Sequence, residues 1–218
     1  MKNYKKIIFL IRHGQTEFNK KIIFRGHIDV PLDNSGKIQA ESNGKLLKEM
    51  DFDTIYTSPL IRAKQTSEII NKYQNRNVSI IVDYGFIDLN YGTWEGKTEE
   101  EIKALFPELY FQWETNPYKT KIPGGESLYD AGKRSWLSLK RTISKNENQI
   151  ICIITHRVIC KLLLCKILSI SKSGFWKIKQ DTGCINIIGY KDKKFSILKL
   201  NYNSNISDFK NSLKVMDF

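Results

Sequence analysis

Arg12 and His13 follow directly after the apolar run of residues 7–11, and a second histidine, His156, follows the apolar run Ile150–Thr155. A guanidinium beside an imidazole suits phosphate chemistry, because the guanidinium matches phosphoryl oxygens with forked donors and a neutral imidazole can act as a nucleophile. In open α/β sheets the ligand crevice lies outside the carboxyl ends of the strands. We therefore predict that both histidines meet at that edge, in a site for a phosphorylated ligand.

Five short segments extend this pattern along the chain. They cover residues 12–19, 26–32, 58–66, 92–96 and 123–127. In this order they resemble the histidine phosphatase superfamily, in its phosphoglycerate mutase-like branch, from about residue 7 to about residue 201. The resemblance implies an α/β fold, namely a three-layer α/β/α sandwich with a mostly parallel central sheet. It also implies a phosphatase without a cofactor, of the type that acts on α-ribazole phosphate or phosphoserine.

The resemblance assigns roles to individual side chains. His13 would be the catalytic nucleophile that forms a covalent phosphohistidine, and His156 would bind the phosphoryl group and stabilise its transition state. Arg12 and Arg62 would clamp the phosphoryl oxygens, and Asn19 would add a neutral hydrogen bond. Guanidinium groups beside an imidazole disfavour its cationic form, so we expect His13 to be neutral at about pH 7.

The residue expected to protonate the leaving oxygen departs from the family pattern. Relatives usually carry a Glu four residues before the glycine that corresponds to Gly92, whereas this chain has Asp88 there. An aspartate keeps the carboxylic acid and shortens its side chain by a methylene group. The family pattern places Glu95, the nearest alternative acid, in a turn. We therefore predict that Asp88 is the general acid.

Two residues beside the predicted site leave alternatives open. Arg157 follows His156 where many relatives have glycine. Its guanidinium would bind a substrate carboxylate or a second phosphate if it faces the crevice, and would have no role if it faces solvent. His27 lies in the loop of residues 26–32, where a structural role is favoured over contact with substrate.

The chain is strongly basic. Its 218 residues include 35 Lys and Arg against 23 Asp and Glu, which gives a formal net charge of +12. Such a charge attracts phosphorylated metabolites and nucleic acids alike. The sequence has no basic run with interleaved aromatic residues of the kind that marks a nucleic-acid surface. The predicted partner is therefore a small phosphorylated metabolite and not nucleic acid.

Cysteine and histidine spacing argues against a metal site. The four cysteines show no Cys-x-x-Cys spacing and the three histidines no His-x-x-x-His spacing, so we expect reduced core thiols and no metal ligands. Residues 1–6 precede only a short apolar strand, which fits neither a signal peptide nor a membrane span. The predicted location is the cytoplasm, without membrane contact.

These side chains require a sheet that brings distant residues together. Apolar runs of strand length cover residues 7–11, 54–57, 79–82 and 150–155, and residues 184–190 with 195–201 have the pattern of a hairpin. Segments with helical periodicity separate the runs, which predicts a largely parallel sheet with strand 150–155 at its centre. Further helices are expected before residue 107, after residues 124–127 and over residues 158–168.

Ser58 is a candidate N-cap for the helix that follows the second strand. Pro59 suits the first helical position, which would place Arg62 in the first turn and aim it at the same crevice as His13. Aromatic residues are concentrated between residues 109 and 121, where we expect a small core over the sheet edge, one wall of the substrate pocket, or both.

The domain prediction is a single domain over residues 1–218 with a peripheral tail at residues 205–218. No repeat, linker or second domain is indicated. Phe175 and Trp176 would form either the interface of a homodimer or a packed turn.

Two other functions remain as alternatives to a metal-independent phosphatase. Phosphoglycerate mutases of the superfamily carry a longer insertion between the acid and the second histidine, whereas the segment from Asp88 to His156 is compact and includes residues 123–127, typical of the phosphatase branch. A non-catalytic phospholigand-binding module is the other alternative, because Asp88 and Arg157 depart from the family pattern.

Overall fold

The structure is a computed structural model that describes residues 4–145, 150–170 and 172–203. The predicted tail at residues 205–218 lies outside the described residues. Within them, six strands form one sheet. They are β1 (Lys6–Arg12), β2 (Thr54–Thr57), β3 (Ile80–Val82), β4 (Ile150–Thr155), β5 (Ile185–Lys191) and β6 (Lys194–Tyr202).

The strand order across the sheet is β3-β2-β4-β1-β5-β6. The first four strands of this order are parallel, whereas β5 pairs antiparallel with both β1 and β6. The predicted mostly parallel sheet, with β4 inside it, is confirmed. The predicted hairpin is β5-β6, and its turn residues Asp192 and Lys193 have φ angles of 51° and 62°. Positive φ at both positions is the conformation that two-residue hairpin turns favour.

Helices connect the strands. In the described part of the chain the α-helices are α1 (Glu17–Lys20), α2 (Asn34–Leu47), α3 (Ile61–Asn71), α4 (Glu99–Leu105), α5 (Pro107–Thr115), α6 (Leu128–Lys145) and α7 (Arg157–Ile167). Short 3₁₀ helices cover Tyr84–Phe86, Gly92–Trp94 and Lys172–Lys177. No helix among these is long and apolar enough to cross a membrane.

The side chains of β1 show why the sheet needs a helical layer on each face. Ile8 and Leu10 pack into a core with residues of α6 and α7, whereas Ile7 and Phe9 pack into a second core with residues of α2 and α3. Successive strand side chains point to opposite faces, so a strand that is buried throughout must be covered on both. The predicted three-layer sandwich is confirmed. The four cysteines are buried free thiols, as expected.

One helix prediction is wrong, and one helix lies where none was predicted. Ser58 does not cap α3, because the helix begins at Ile61 and its N-cap residue is Leu60. The backbone N–H of Ile61 donates instead to the Asp29 carboxylate, at 2.6 Å, so a separate loop caps the helix. Helix α5 was not predicted within the aromatic segment, although Pro107 occupies its first turn, where proline is favoured.

Parallel pairing brings the two histidines together. In the register of β1 and β4, Arg12 lies opposite Thr155, and the His13 N–H donates to the Thr155 carbonyl at 3.0 Å. His13 and His156 are therefore the next residues beyond two neighbouring strand ends. Their ring centroids lie 5.1 Å apart.

Candidate active site

The His13 side chain is fully buried and has one free nitrogen. Its Nδ1 lies 2.6 Å from the carbonyl oxygen of Gly14. A carbonyl only accepts hydrogen bonds, so Nδ1 carries the proton and Nε2 carries the lone pair. Nε2 is buried and has no hydrogen-bond partner among the described residues. Burial, followed by the charge of Arg62 and the neighbouring His156, holds the pKa of His13 well below its ordinary value. The expected neutral imidazole is what this environment favours.

The His156 side chain has the opposite role in hydrogen bonding. Its Nε2 lies 2.7 Å from the hydroxyl oxygen of Ser58, which also accepts the Leu60 N–H at 3.3 Å. On the other side of the ring, Nδ1 lies 3.6 Å from the carboxylate of Asp88, which only accepts hydrogen bonds. This favours the tautomer with the proton on Nδ1, in which the serine hydroxyl donates to Nε2. Burial, then Arg62, holds the pKa of His156 well below its ordinary value. His156 thus presents a neutral donor to the site.

Arg12 is fixed by the antiparallel part of the sheet. It donates from Nη1 to the carbonyl of Gln180 at 2.6 Å, and Gln180 is itself hydrogen-bonded to the buried Asn186 on β5. Its Nε is buried without a partner in the described part of the chain. Burial, then Arg157, lowers the pKa of Arg12 to about 10, so its guanidinium stays charged at neutral pH.

Arg62 has fewer free donors than the sequence suggested. It is fully buried and donates to the carbonyls of Ile28 and Gly26, at 3.0 and 2.9 Å, and to Asp88 at 3.2 Å. A guanidinium has five N–H donors, and the Nε–H of Arg62 is among those without a partner in the described residues. The predicted phosphoryl contact therefore has the Nε–H and one Nη1–H available. The other donors hold the loop of residues 26–28 and the Asp88 side chain.

Asp88 is buried and held from both its side chain and its backbone. One carboxylate oxygen accepts from Arg62, and the other accepts the Leu89 N–H at 2.9 Å. The Asp88 carbonyl accepts from Nε2 of His27 at 2.9 Å and from Arg134 at 2.8 Å. These contacts bring the Asp88 carboxylate beside His156. They also give His27 the structural role that was favoured for it.

Glu95 lies outside this group. Its Oε1 accepts the backbone N–H groups of His27 and Tyr91, at 2.9 and 3.1 Å, which ties two loops together. A Cβ on Gly26, whose φ is 49°, would lie only 1.9 Å from the same oxygen. Glu95 therefore has the turn role that the family pattern assigned to it, and Asp88 remains the candidate acid.

Asn19 has an amide group left for a ligand. Its Oδ1 accepts both the N–H and the hydroxyl of Thr16, each at 3.0 Å. The amide nitrogen of Asn19 has no acceptor in the described structure, and the residue lines a cavity that Asp88 also lines. The predicted neutral hydrogen bond to a phosphoryl group is compatible with this geometry.

The cavity has a volume of about 620 Å³, and Asp88 and Asn19 are among the residues that line it. Tyr110 and Trp113 of α5 are buried in the core, as expected for a small core over the sheet edge, and they also line this cavity. Arg157, the first residue of α7, is exposed and lines the cavity. Of the two alternatives for Arg157, the structure places it at the crevice.

Sequence reasoning missed three residues of this region. Arg25 lines the cavity and is 9% exposed, yet nothing in the sequence distinguishes it from other basic residues. Arg134 holds the backbone of residues 85–88, from a helix whose pattern showed only its amphipathic character. Ser58 was identified, but as a helix cap. Its position directly after a predicted strand, like that of His13 and His156, was the signal for a place in the site.

Comparisons with known proteins match this chain to one family and to several relatives. A family model described as histidine phosphatase superfamily (branch 1) matches residues 8–203. Phosphoserine phosphatase 1 of Hydrogenobacter thermophilus is 29% identical over 202 residues, which cover 93% of this chain and 95% of that protein. A 2,3-bisphosphoglycerate-dependent phosphoglycerate mutase of Bartonella henselae is 36% identical over 134 residues, which cover 60% of this chain and 65% of the mutase. The solved structure of Bacillus stearothermophilus YhfR superposes with a TM-score of 0.87 at 26% identity, over 92% of this chain and 98% of that one.

Proposed function

The chain belongs to the histidine phosphatase superfamily, branch 1, and from this premise we propose that it hydrolyses the phosphate monoester of a small metabolite through a phosphohistidine at His13. One observation carries the proposal, namely the buried His13 imidazole whose proton is held on Nδ1 by Gly14 and whose Nε2 lone pair has no partner in the described residues. The match to a phosphoserine phosphatase over nearly the whole chain supports hydrolysis.

In the first half of the reaction, His13 Nε2 attacks phosphorus. A nitrogen–phosphorus bond forms as the bond from phosphorus to the ester oxygen breaks, and Asp88 gives a proton to the departing oxygen. Arg12, the free N–H groups of Arg62 and the Nδ1–H of His156 stabilise the charge on the equatorial oxygens. Asp88 suits its role because its carboxylate lies 3.6 Å from His156, within the same buried cluster.

In the second half, water attacks the phosphohistidine. Asp88, now a carboxylate, takes a proton from that water, and the bond between nitrogen and phosphorus breaks to release inorganic phosphate. His13 returns to its neutral form with the proton still on Nδ1, so the Gly14 carbonyl holds the ring in one orientation throughout. No step requires a metal ion, because Arg12 and Arg62 supply the positive charge and His156 adds a neutral donor.

Trapping the intermediate tests this proposal. Brief incubation with a phosphate-labelled substrate followed by denaturation should leave acid-labile, base-stable label on the protein. His13→Ala should carry no label. His27→Ala should still be labelled, because His27 contacts the backbone carbonyl of Asp88 and not the carboxyl group that gives the proton. Label that persists in His13→Ala would contradict the proposal, and a complete absence of label and turnover would favour a non-catalytic phospholigand-binding module. Exhaustive chelation should leave kcat unchanged.

Phosphoglycerate mutase is the second candidate, favoured by the partial match to a mutase. The two activities differ in what receives the phosphoryl group, which is water in one case and a second phosphoglycerate in the other. With 3-phosphoglycerate and a catalytic amount of 2,3-bisphosphoglycerate, a phosphatase releases inorganic phosphate faster than it forms 2-phosphoglycerate. Fast isomerisation with little phosphate release would assign the mutase activity instead.

The remaining predictions belong to the same proposal. We place the protein in the cytoplasm, which four buried free thiols support, and we infer a single domain without a nucleic-acid or membrane partner. Trp176, at 39% exposure, is a candidate contact of a homodimer. Size-exclusion chromatography with light scattering tests the oligomeric state directly.

A further inference from the structure

Arg25 is a buried cation for which the described residues provide no ion-pair partner. Its side chain lies in the wall of the 620 Å³ cavity, and the residue is 9% exposed. Its Nε is buried without a hydrogen-bond partner among the described residues, and its guanidinium makes no ion pair there. An unpaired buried charge is costly, and such charges in proteins are normally balanced by an opposite charge. Arg25 therefore points to an anion that belongs in the cavity.

The carboxylates around Arg25 are engaged elsewhere. Asp88 binds Arg62, and Glu99 forms an ion pair with Lys103. Glu114 lines the same cavity but is not within ion-pair distance of Arg25. The neighbours with the largest electrostatic effect on Arg25 are cations, Arg12 and then Arg62, which together with burial lower its pKa to about 9. Asp88 opposes this effect but is bound to Arg62, so no carboxylate in the described residues forms an ion pair with Arg25.

Arg157 adds a second cation to the same wall. It opens α7, lines the cavity with Arg25, and forms no salt bridge within the described ranges. His13, Arg12, Arg62 and His156 lie deeper and do not line this cavity, although Asp88 connects the two regions. The site therefore has one group of cations around the nucleophile and another beside the leaving-group side of Asp88.

We propose that Arg25 and Arg157 form a subsite for a second anionic group of the substrate, separate from the phosphoryl group that is transferred. This inference rests on the proposed phosphatase function and narrows its substrates. The preferred class is a small phosphate monoester that carries a carboxylate or another phosphate a few bonds from the ester oxygen. Monoesters whose leaving group is uncharged lack the group that these two guanidinium ions recognise.

Matched substrate pairs test the subsite. 3-Phosphoglycerate and glycerol 3-phosphate differ by a carboxylate, and propane-1,3-diol bisphosphate and 3-hydroxypropyl phosphate differ by a phosphate. The measured quantity is the ratio of kcat/KM within each pair, which removes any general loss of activity. We expect the wild type to prefer the more anionic member of at least one pair. Arg25→Gln and Arg157→Gln should each lower that preference about ten- to hundredfold, the usual effect of losing a charge-assisted hydrogen bond.

A variant far from the cavity is the control. Arg76→Gln removes an equal charge beside Asp53, at the opposite edge of the sheet, and should leave both ratios unchanged. If Arg25→Gln slows both members of a pair equally, Arg25 binds the transferred phosphoryl group and the proposal is wrong. A wild type without preference in either pair also contradicts it. Arg157 is exposed, so its variant keeps the test valid if Arg25→Gln does not fold.

A binding measurement separates failure of the phosphatase proposal from failure of the subsite proposal. If the wild type hydrolyses no member of either pair, the same ratios are measured as dissociation constants by calorimetry with the His13→Ala protein. A preference for the anionic member that Arg25→Gln removes would then establish the subsite without turnover. Equal affinity for both members would contradict the subsite on binding alone.

Discussion

His13 and His156 are both buried and neutral, yet their surroundings give them different chemical functions. The Gly14 carbonyl accepts the Nδ1 proton of His13, which leaves an Nε2 lone pair. Nδ1 of His156 faces the Asp88 carboxylate, which favours a proton on Nδ1 and a hydrogen bond from the Ser58 hydroxyl to Nε2. One ring can therefore attack phosphorus, whereas the other can stabilise a phosphoryl oxygen. The difference follows from the groups that neighbour each ring and needs no difference in charge between the two rings.

Asp88 provides the most direct test at this scale. Asp88→Asn should lower kcat for an alkyl phosphate about 10²- to 10⁴-fold, the usual contribution of a positioned general acid. The loss should be smaller for para-nitrophenyl phosphate, because its leaving group needs no proton. Steady-state kinetics with both substrates measure the difference, and Asp88→Glu should retain activity because Asp88 borders the open cavity.

Glu95→Gln is the matched control for this prediction. A glutamine keeps the oxygen that accepts the His27 and Tyr91 N–H groups, so the loops stay joined while the acid is removed. Its kcat should remain within about tenfold of the wild type, below the range of a general acid. If Asp88→Asn acts on alkyl phosphates at the wild-type rate while Glu95→Gln does not, the acid has been assigned to the wrong residue.

At the scale of elements, two of the short segments identified in the sequence, residues 26–32 and residues 58–66, contact each other. The Asp29 carboxylate caps α3 at Ile61, and Gln65 on α3 accepts the Leu32 N–H at 2.8 Å. Arg62, from the same helix, donates to the carbonyls of Gly26 and Ile28. The loop of residues 26–32 is thus fixed to the helix that carries Arg62. Sequence order alone shows both segments but not this contact.

The same elements show what the sequence could predict and what it could not. The positions of His13 and His156 were predictable, because apolar runs end immediately before them and parallel strands align their carboxyl ends. The N-cap at Ser58 was wrong because residues distant in sequence, Asp29 and His156, use the groups involved. Arg25 was missed because the lack of a partner is a property of the folded chain and leaves no pattern in the sequence.

Close backbone packing between the β1–α1 loop and α2 gives a prediction about stability. A Cβ on Gly36 would lie 2.1 Å from the carbonyl oxygen of Gln15, so Gly36→Ala must displace backbone atoms. We expect a loss of about 1–3 kcal/mol in the free energy of unfolding, as for overpacked sites. Urea denaturation measures it. We also expect a lower kcat, because Gln15 adjoins the Gly14 carbonyl that orients His13.

Gly132→Ala is the control within a helix. The nearest atom to its added Cβ is Leu162 Cδ2 at 3.8 Å, an ordinary contact, and the residue lies inside α6. Alanine favours helix over glycine, so this variant should be neutral or more stable by up to about 1 kcal/mol. Equal stability of Gly36→Ala and Gly132→Ala would show that the loop accommodates the methyl group.

At the scale of the whole molecule, the carboxyl edge of the sheet concentrates positive charge that the fold must bury. Arg12 and Arg62 are buried there, and both histidines stay neutral beside them. The formal net charge of +12 adds a long-range attraction for anions, which increases their rate of encounter with the crevice. The same buried positive charge therefore attracts anions to the crevice and contributes to the low pKa values of His13 and His156.

The lowered pKa values of these two histidines predict how the stability of the protein depends on pH. A histidine whose pKa is lowered in the native state contributes stability that is present above its unfolded pKa, about 6.5, and is lost as the pH falls below that value. Below it the unfolded chain binds a proton that the native His13 and His156 do not bind. For two such groups, the free energy of unfolding should fall by about 2–3 kcal/mol between about pH 7.5 and pH 5.5. Urea denaturation at several pH values measures this slope.

Single substitutions assign the slope to its residues. His13→Asn or His156→Asn should reduce the loss over this interval by about 1.4 kcal/mol, the linkage of one proton over the pH unit below the unfolded pKa. His27→Asn is the control, because His27 is only partly buried, at the edge of the site. Carboxylates with lowered pKa values, such as Asp33 and Asp181, lose their contribution to stability at more acidic pH, below the measured interval. An unchanged slope in both single variants would mean that the native protein protonates these rings as readily as the unfolded chain does.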